Sequence, residues 1–507
     1  MESPRLAALF VAFFCAGCVQ RLEKKLVEPA MSATLDHEAP FLKAHLRDGG
    51  VYILAPWRID ELERVVVGEG ELQDAERQTV KRGSFRVPIA EVALFETNVL
   101  HTSPAVAALA VISVASAGLT LYCATHSKSC FGSCPTFYAS NGERELLLAE
   151  GFSDSVAPSL EATDLDALYR ARPSSRDFEL RMKNEALETH VVKRAALVLA
   201  ERPEGGRVFA TQEGELWQAT QVQAPRSCSV AEGDCLRAVS AMDGRERSSA
   251  TDATDLAARE IVELEFDAAP PRAGLVIGAR QTFLSTYLFY QALAYLGRRA
   301  GDFIMRLERE EPGTLERVRG IRHALGGIEV LIWKPDGTWS KAGEVHETGP
   351  LAADVKIVPL PESGPGPVRV RLRLTRGHWR LDFLALASIG ERAAPISLQP
   401  AAVRGLAAGA SATFAPTPAR PMLTLPGDEV IFTYRLPEGP ERYELFLESR
   451  GYYLEWMRKE WLAEESMLRA AALFLDPEDT LRRLAPQFKA EEARLDDLFW
   501  KSRYVPR

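Results

Sequence analysis

The chain has 507 residues, 46% of them hydrophobic and 26% charged, with a net charge of −9. That is ample apolar material for a core and excludes a disordered polymer. The acidic balance, without a basic patch, argues against a nucleic-acid partner, and the length suggests two to four domains.

The first residues read in three zones. Met1 to Arg5 is a short polar start, and Leu6 to Phe14 is an unbroken apolar run. That run has the length of a signal-peptide core and is too short to span a bilayer. Ala16-Gly17-Cys18 then resembles the lipobox of bacterial lipoproteins, although Cys15 stands where that pattern prefers Leu. The resemblance implies cleavage before Cys18 and a diacylglyceryl group on its thiol. Residues 1–17 are therefore expected to be a lipoprotein signal peptide, and residues 18–48 a charged, helix-compatible tether. Val19 at the second mature position implies the outer rather than the inner membrane.

From residue 49 the pattern changes. Val51-Tyr52-Ile53-Leu54, Val65-Val66-Val67 and Phe85-Arg86-Val87 are β-branched or aromatic runs broken by Gly and polar turns. They predict a small β-barrel or meander over residues 49–98. Residues 104–124 open with Pro104 and carry no charge. The length suits a membrane span, but the alanine content weakens insertion, so a buried or membrane-facing helix or hairpin is expected. A second membrane contact, beside the lipid, would fall at residues 105–124.

A β-rich domain is expected over residues 129–270. Asn141-Gly142 marks a hairpin, and Phe178 to Met182 and Val262 to Phe266 alternate with period two. Within 279–310, Phe283 to Leu296 carries an apolar stripe broad enough for a helix buried on most sides. Its Phe283, Tyr287, Phe289, Tyr290 and Tyr295 either pack the core or line an aromatic pocket. Residues 327–450 read as an antiparallel β-sandwich, most clearly at Val368 to Leu374, where apolar residues alternate with Arg369, Arg371 and Arg373. Residues 451–507 read as helical. Tyr453, Trp456, Met457, Trp461 and Leu468 share one face, and Asp476-Pro477-Glu478-Asp479 starts a helix whose stripe breaks at Pro486. The expected class is mainly β, of the α+β kind.

Cys228 and Cys235 flank a short polar segment, the kind of loop a disulfide closes in an oxidising space. Cys123, Cys130 and Cys134 form a second cluster, with Cys130 and Cys134 as disulfide candidates. The alternative there is zinc on Cys123, His126, Cys130 and Cys134, in a spacing that fits no established zinc motif. No metal or other cofactor is expected.

Ser129-Cys130-Phe131-Gly132-Ser133-Cys134-Pro135, then Asn141-Gly142 and Ala149-Glu150-Gly151-Phe152, with Gly451-Tyr452-Tyr453-Leu454-Glu455-Trp456 near the end, resemble a family of bacterial envelope lipoproteins. In that family an Ala- and Gly-rich apolar segment precedes a Cys-Pro strand. The resemblance would cover most of Gly50 to Leu462. It implies the domain order and the lipid anchor, and it carries no catalytic residue across.

Catalytic signatures are missing from the sequence: there is no Gly-x-Ser-x-Gly elbow, phosphate loop or His-Glu-x-x-His helix. Glu344-Val345-His346-Glu347 sits in a β context and reads as an exposed loop. Glu150, Asp154, Glu161, Asp164 and Asp166 form either a solvated acidic loop or a set of oxygen ligands for calcium; Leu168 and Tyr169 depart from an EF-hand loop. Trp333, Trp339 and Trp379 either fill the sandwich core or stack on sugar rings. The expected function is a membrane-anchored lipoprotein, a non-enzymatic binding or scaffolding protein of the cell envelope, with a protein or glycan partner. The alternatives are an envelope hydrolase with an unrecognised site, or a carbohydrate-binding lipoprotein.

Overall fold

Alternating charged and apolar residues build strands from the first described residue onward. The computed structural model describes residues 21–27, 29–37, 39, 41–46, 51–73, 79–101, 134–186, 188–308, 313–346, 349–361, 366–405, 415–418, 421–424, 427–455 and 459–495. The lipobox with Cys18, the apolar segment 104–124, and Cys123, His126 and Cys130 lie outside these residues. The chain divides into two units, Met1–Ala124 with Arg298–Phe303, and Thr125–Gly297 with Ile304–Arg507.

The first unit is one antiparallel sheet of six strands: β1 (Arg21–Val27), β2 (Leu42–Leu46), β3 (Val51–Asp60), β4 (Val65–Gln73), β5 (Thr79–Pro88) and β6 (Val92–His101), in the order β1-β6-β2-β3-β4-β5. The expected tether is thus corrected: its charged stretch supplies β1 and β2, which flank β6. Strand pairing across some seventy residues, which no local signal announces, decides this. Leu42, Ala44, Leu54, Val66, Val87 and Phe95 are buried on one face. Trp57 donates from its indole to the Ala39 carbonyl at 3.0 Å. Buried Glu96 accepts from Lys43 at 3.1 Å and pairs with the His45 ring at 2.9 Å, so its charge does not enter the core unpartnered.

The second unit holds β7 (Thr136–Ser140), β8 (Glu145–Glu150), β9 (Ala162–Ala167), β10 (Asp177–Lys183), β11 (Glu188–Glu201), β12 (Arg207–Ala210), β13 (Leu216–Gln223), β14 (Ser227–Val230), β15 (Gly233–Asp234), β16 (Arg259–Phe266) and β17 (Ala273–Gln281). It continues with β18 (Ile328–Trp333), β19 (Trp339–Val345), β20 (Asp354–Pro359), β21 (Val368–Thr375), β22 (Trp379–Arg392), β23 (Ile396–Leu398), β24 (Ala402–Gly405), β25 (Met422–Thr424), β26 (Glu429–Arg435) and β27 (Tyr443–Glu455). The protein is mainly β with a sandwich-type arrangement, as its alternation predicts.

Sheet β24-β26-β10-β7-β8 and sheet β23-β11-β27-β9 enclose one core, including Phe137, Leu180, Leu197, Phe432 and Leu447. β12-β13-β22-β17-β20 closes into a small barrel, and sheet β15-β14-β16-β21-β18-β19 shares a second core with it. Residues 129–270 and 327–450, expected as separate domains, do not separate. β10 pairs β26, β11 pairs β27, β16 pairs β21 and β17 pairs β22, so these sheets draw strands from both segments. β21 buries Val368, Val370, Leu372 and Leu374 while its arginines face outward, as its alternation requires. The Asn141-Gly142 hairpin forms: Ser140 pairs Glu145, the Asn141 side chain accepts from the Glu143 and Arg144 amides, and Gly142 takes φ +94°.

Four helices matter here: α1 (Leu284–Leu296), α2 (Thr314–Leu325), α3 (Met467–Leu475) and α4 (Pro477–Glu491). α1 is buried along nearly all its length, and Tyr287 meets Phe488 of α4 edge-on at 5.1 Å. Its aromatic side chains therefore pack. At α4 the Asp476 carboxylate caps the Asp479 amide at 3.2 Å and Pro477 occupies the first turn. Two expectations fail in this region. The helical face from Tyr453 to Leu468 is replaced at its start by β27, which runs on to Glu455, and α4 continues through Pro486.

Cys228 and Cys235 form a disulfide, with Cα atoms 5.1 Å apart and both side chains buried. It ties β14 to the turn after β15. Closing so short a loop stabilises by about 2–3 kcal/mol through the unfolded chain. Cys235→Ser should lower unfolding stability by that amount in denaturant titration, and reductant should have little further effect on the variant.

Candidate functional site

The described residues gather buried ionisable groups at one place, where β8, β9 and the segment entering β20 meet. β8 ends in Leu148-Ala149-Glu150, all buried, so the strand carries a carboxyl inward with its apolar neighbours. The Leu351 amide donates to Glu150 Oε2 at 2.6 Å, the Ala352 amide to the same oxygen at 3.4 Å, and the Cys134 thiol to Oε1 at 2.6 Å. Gly349, at φ +79°, makes the approach possible, since a Cβ there would lie 2.5 Å from that carboxylate. Burial pushes the Glu150 carboxyl up to about 8, against the lowering pull of Cys134, the two amides and Arg280. Arg280 itself is held by Glu246 at 2.5 Å.

Three residues beyond Leu351, β20 begins with Asp354 and Lys356. Both side chains are only 5% exposed, and Lys356 Nζ lies 2.5 Å from Asp354 Oδ2. Asp354 Oδ1 accepts from the Ala167 amide at 3.0 Å, and Lys356 donates to the Leu165 carbonyl at 2.6 Å. β9 lies at the end of its sheet, so these two side chains satisfy backbone groups on its unpaired edge. Burial raises Asp164 to about 6 and Asp166 well above the usual carboxylate range, and the Asp354 charge adds to both. Lys356 loses to burial but gains more from Asp354, Asp164 and Asp166, so it stays charged. Asp166 Oδ2 is buried without a hydrogen-bond partner among the described residues. Burial and the neighbouring Asp164 and Asp354 carboxylates thus push Asp166 toward its protonated form.

The acidic stretch from Glu150 to Asp166 is therefore not a solvated loop. Asp166 and Glu150 are buried, and Asp154 instead pairs Arg322 of α2 at 2.8 Å. Nor do these groups make a calcium site: among the described residues no three His, Cys, Asp or Glu side chains are placed to hold a metal ion. Cys134 sits beside Glu150, while its candidate partner Cys130 lies outside the described residues. A second buried pair is His190 with Glu188, on one face of β11 at 2.6 Å and both fully buried. Burial lowers His190 to about 3, so the imidazole is neutral and shares one hydrogen bond with the Glu188 carboxyl. Asn184 ties the adjacent backbone by donating to the Glu188 and Thr424 carbonyls. Asp354, Lys356, Glu188 and His190 carried no signal in the sequence that set them apart from solvent-facing strand residues.

The three tryptophans split. Trp379 is 1% exposed and part of the core between barrel and sheet, which corrects its candidacy for ligand stacking. Trp333 and Trp339 are directly opposed on the β18–β19 hairpin, with ring centres 5.2 Å apart and planes at 65°. They make an edge-to-face pair rather than a coplanar platform, and the Arg371 guanidinium lies 4.2 Å over the Trp339 ring. Glu344 accepts from the Gly327 amide and pairs Lys341, with exposed His346 at 3.6 Å; it is a strand-end contact. A cavity of about 230 Å³ on the β7–β8–β10 side is lined by Ser140, Glu145, Arg172, Phe178 and Arg181, and Arg181 is already paired to Glu145 and Glu429.

No family model matches the chain, and no curated protein does. Among solved structures it is similar to a GH31 alpha-xylosidase from Xanthomonas citri, at 8% identity and a TM-score of 0.16. That alignment covers 81% of this chain and 38% of the xylosidase. A likeness of that size carries no argument.

Two expectations follow. Glu150 has its folded pKa above its unfolded value of 4.5, so it contributes stability in full below about pH 4.5 and loses it as pH rises through about 8. Glu150→Gln should flatten the fall in unfolding stability between pH 5 and 8; an unchanged slope would place the titration elsewhere. Trp379→Ala should cost about 3–5 kcal/mol in denaturant unfolding, against about 1 kcal/mol or less for the surface residue Trp333→Ala.

Proposed function

We propose that the protein is a lipid-anchored lipoprotein of the bacterial cell envelope, held at Cys18, whose body binds or scaffolds an envelope partner without catalysing a reaction. The observation that carries the reading is the sequence Leu6 to Cys18: an apolar core of signal length, then Ala-Gly-Cys. The Cys228–Cys235 disulfide supports it, because such bonds form and persist in oxidising compartments. Among the described residues no helix is long and apolar enough to cross a membrane. The binding role rests on what the buried groups do. Glu150, Asp354 and Lys356 spend their hydrogen-bonding capacity on backbone groups of neighbouring strands, and His190 on Glu188. They serve the fold's cohesion rather than a substrate.

The test is expression in a double-membraned bacterium, with metabolic labelling by a lipid precursor and membrane fractionation of wild type and Cys18→Ser. Wild type should label and sediment with the outer membrane, and Cys18→Ser should lose the label. Label retained in Cys18→Ser, or a wild type without label, would overturn the reading.

A further inference from the structure

The hairpin between β7 and β8 holds the parts of a reaction that needs no partner except water. Asn141 is followed by Gly142, whereas Asn98 precedes Val99 and Asn184 precedes Glu185. A backbone nitrogen can attack the side-chain carbon of the asparagine before it, provided its own residue does not crowd the approach. Glycine, without a Cβ, crowds it least. Gly142 is also exposed, at φ +94°, so water reaches the reacting backbone.

The turn engages each reacting atom in a different way. The electrophile is Asn141 Cγ, whose oxygen Oδ1 accepts from the Glu143 amide at 3.0 Å and the Arg144 amide at 2.9 Å. Two backbone donors on one carbonyl oxygen stabilise the negative charge that gathers there during attack, as in an oxyanion hole. The nucleophile is the Gly142 nitrogen, and its N–H donates to Ser140 Oγ at 3.0 Å, which polarises the bond that must break. The leaving group is Nδ2, which makes no hydrogen bond among the described residues. The Asn141 amide donates to the Arg144 carbonyl at 3.0 Å and Ser140 pairs Glu145, so the turn is held in this form. Asn184 is the contrast. It is 1% exposed, and its Nδ2 is tied to the Glu188 and Thr424 carbonyls.

We propose that Asn141 is a site of self-modification by deamidation, promoted by its own turn. Hydroxide takes the Gly142 proton, the nitrogen bonds to Asn141 Cγ, and the Cγ–Nδ2 bond breaks. Nδ2 takes a proton from water and leaves as ammonia, which closes a succinimide ring. Water then opens the ring. Cleavage of the new nitrogen–Cγ bond gives aspartate, and cleavage of the original peptide bond gives isoaspartate. No electrons are gained or lost, so no oxidant or reductant enters. Either product places a new carboxylate beside Glu143 and Glu145. Isoaspartate also lengthens the backbone by a methylene where the Asn141–Arg144 bond sets the hairpin register. Ser140 and Arg172 line the cavity on this side, and a Cβ on Gly142 would lie 3.7 Å from the Arg172 Cβ. The modification thus changes the charge beside that cavity, irreversibly and with age.

The experiment incubates the full-length chain at mildly alkaline pH, once folded and once unfolded in urea, with samples taken over weeks. Peptide mapping separates the amide, aspartate and isoaspartate forms of the peptide that holds residue 141. The folded chain should convert at least as fast as the unfolded one, and faster as pH rises, because hydroxide takes part. Asn184 should keep its amide in the folded chain. Asn141→Gln, whose longer side chain must close a larger ring, should lose the conversion. An Asn141 that stays intact in the folded chain while the unfolded chain converts would overturn the proposal, since the turn would then protect the amide. Conversion of Asn184 in step with Asn141 in the folded chain would also overturn it, because transient unfolding rather than the turn would be responsible.

Discussion

Inside the second unit a buried charged pair, Asp354 with Lys356, joins the free edge of one sheet to the barrel. β9 ends its sheet, and the Ala167 amide and Leu165 carbonyl on its open side are buried against the barrel, where water cannot serve them. Leaving them unmet would cost about 1–3 kcal/mol apiece. Asp354 and Lys356 meet both at once and neutralise each other while doing so. The arrangement couples two sheets that share no backbone ladder at this edge. It also explains why acids accumulate there. A buried ammonium needs negative charge around it, and Asp354, Asp164 and Asp166 supply it. Breaking such a pair by removing one partner costs about 3–5 kcal/mol, because the other charge is stranded.

Much of the fold was legible wherever a signal is local. β21 declares both faces through its Val-Arg alternation, Asn141-Gly142 its hairpin, Asp476-Pro477 its helix start and Cys228 with Cys235 their bridge. What was not legible is pairing at a distance. Glu23, Lys24 and Lys25 look like a solvated spacer until β6 is seen beside them. The segments 129–270 and 327–450 look like two domains until β11 is found against β27 along thirteen residues of the latter. The candidate site was hidden for the same reason. Asp354-Val355-Lys356-Ile357 has the look of a strand with one wet face, and only the approach of β9 makes that face dry. Trp379 and Trp333 are alike in sequence context, yet the first meets a second layer and the other does not.

Pro486 shows how tertiary context overrides a local rule. A proline inside a helix removes one donor and crowds the preceding turn. α4 nonetheless continues, because Leu481, Leu484, Ala485 and Phe488 are buried on one side of it and hold its course. The same packing places Phe488 against Tyr287, so a helix at the end of the described chain helps cover α1.

The outer face of sheet β14-β16-β21-β18-β19 carries a consequence of its own. β16 presents Glu263 and Glu265, β21 presents Arg369, Arg371 and Arg373, and β18 presents Glu329. Sign therefore alternates from strand to strand, with Arg371 on Glu263 and Arg373 on Glu329. Each exposed pair adds little to stability. Their joint effect falls on assembly: β16 laid against β18 would set carboxylate on carboxylate, and only the arginine strand fits between. These side chains act as an address that fixes which strand is a neighbour of which, at a stage when the apolar faces alone would accept several orders.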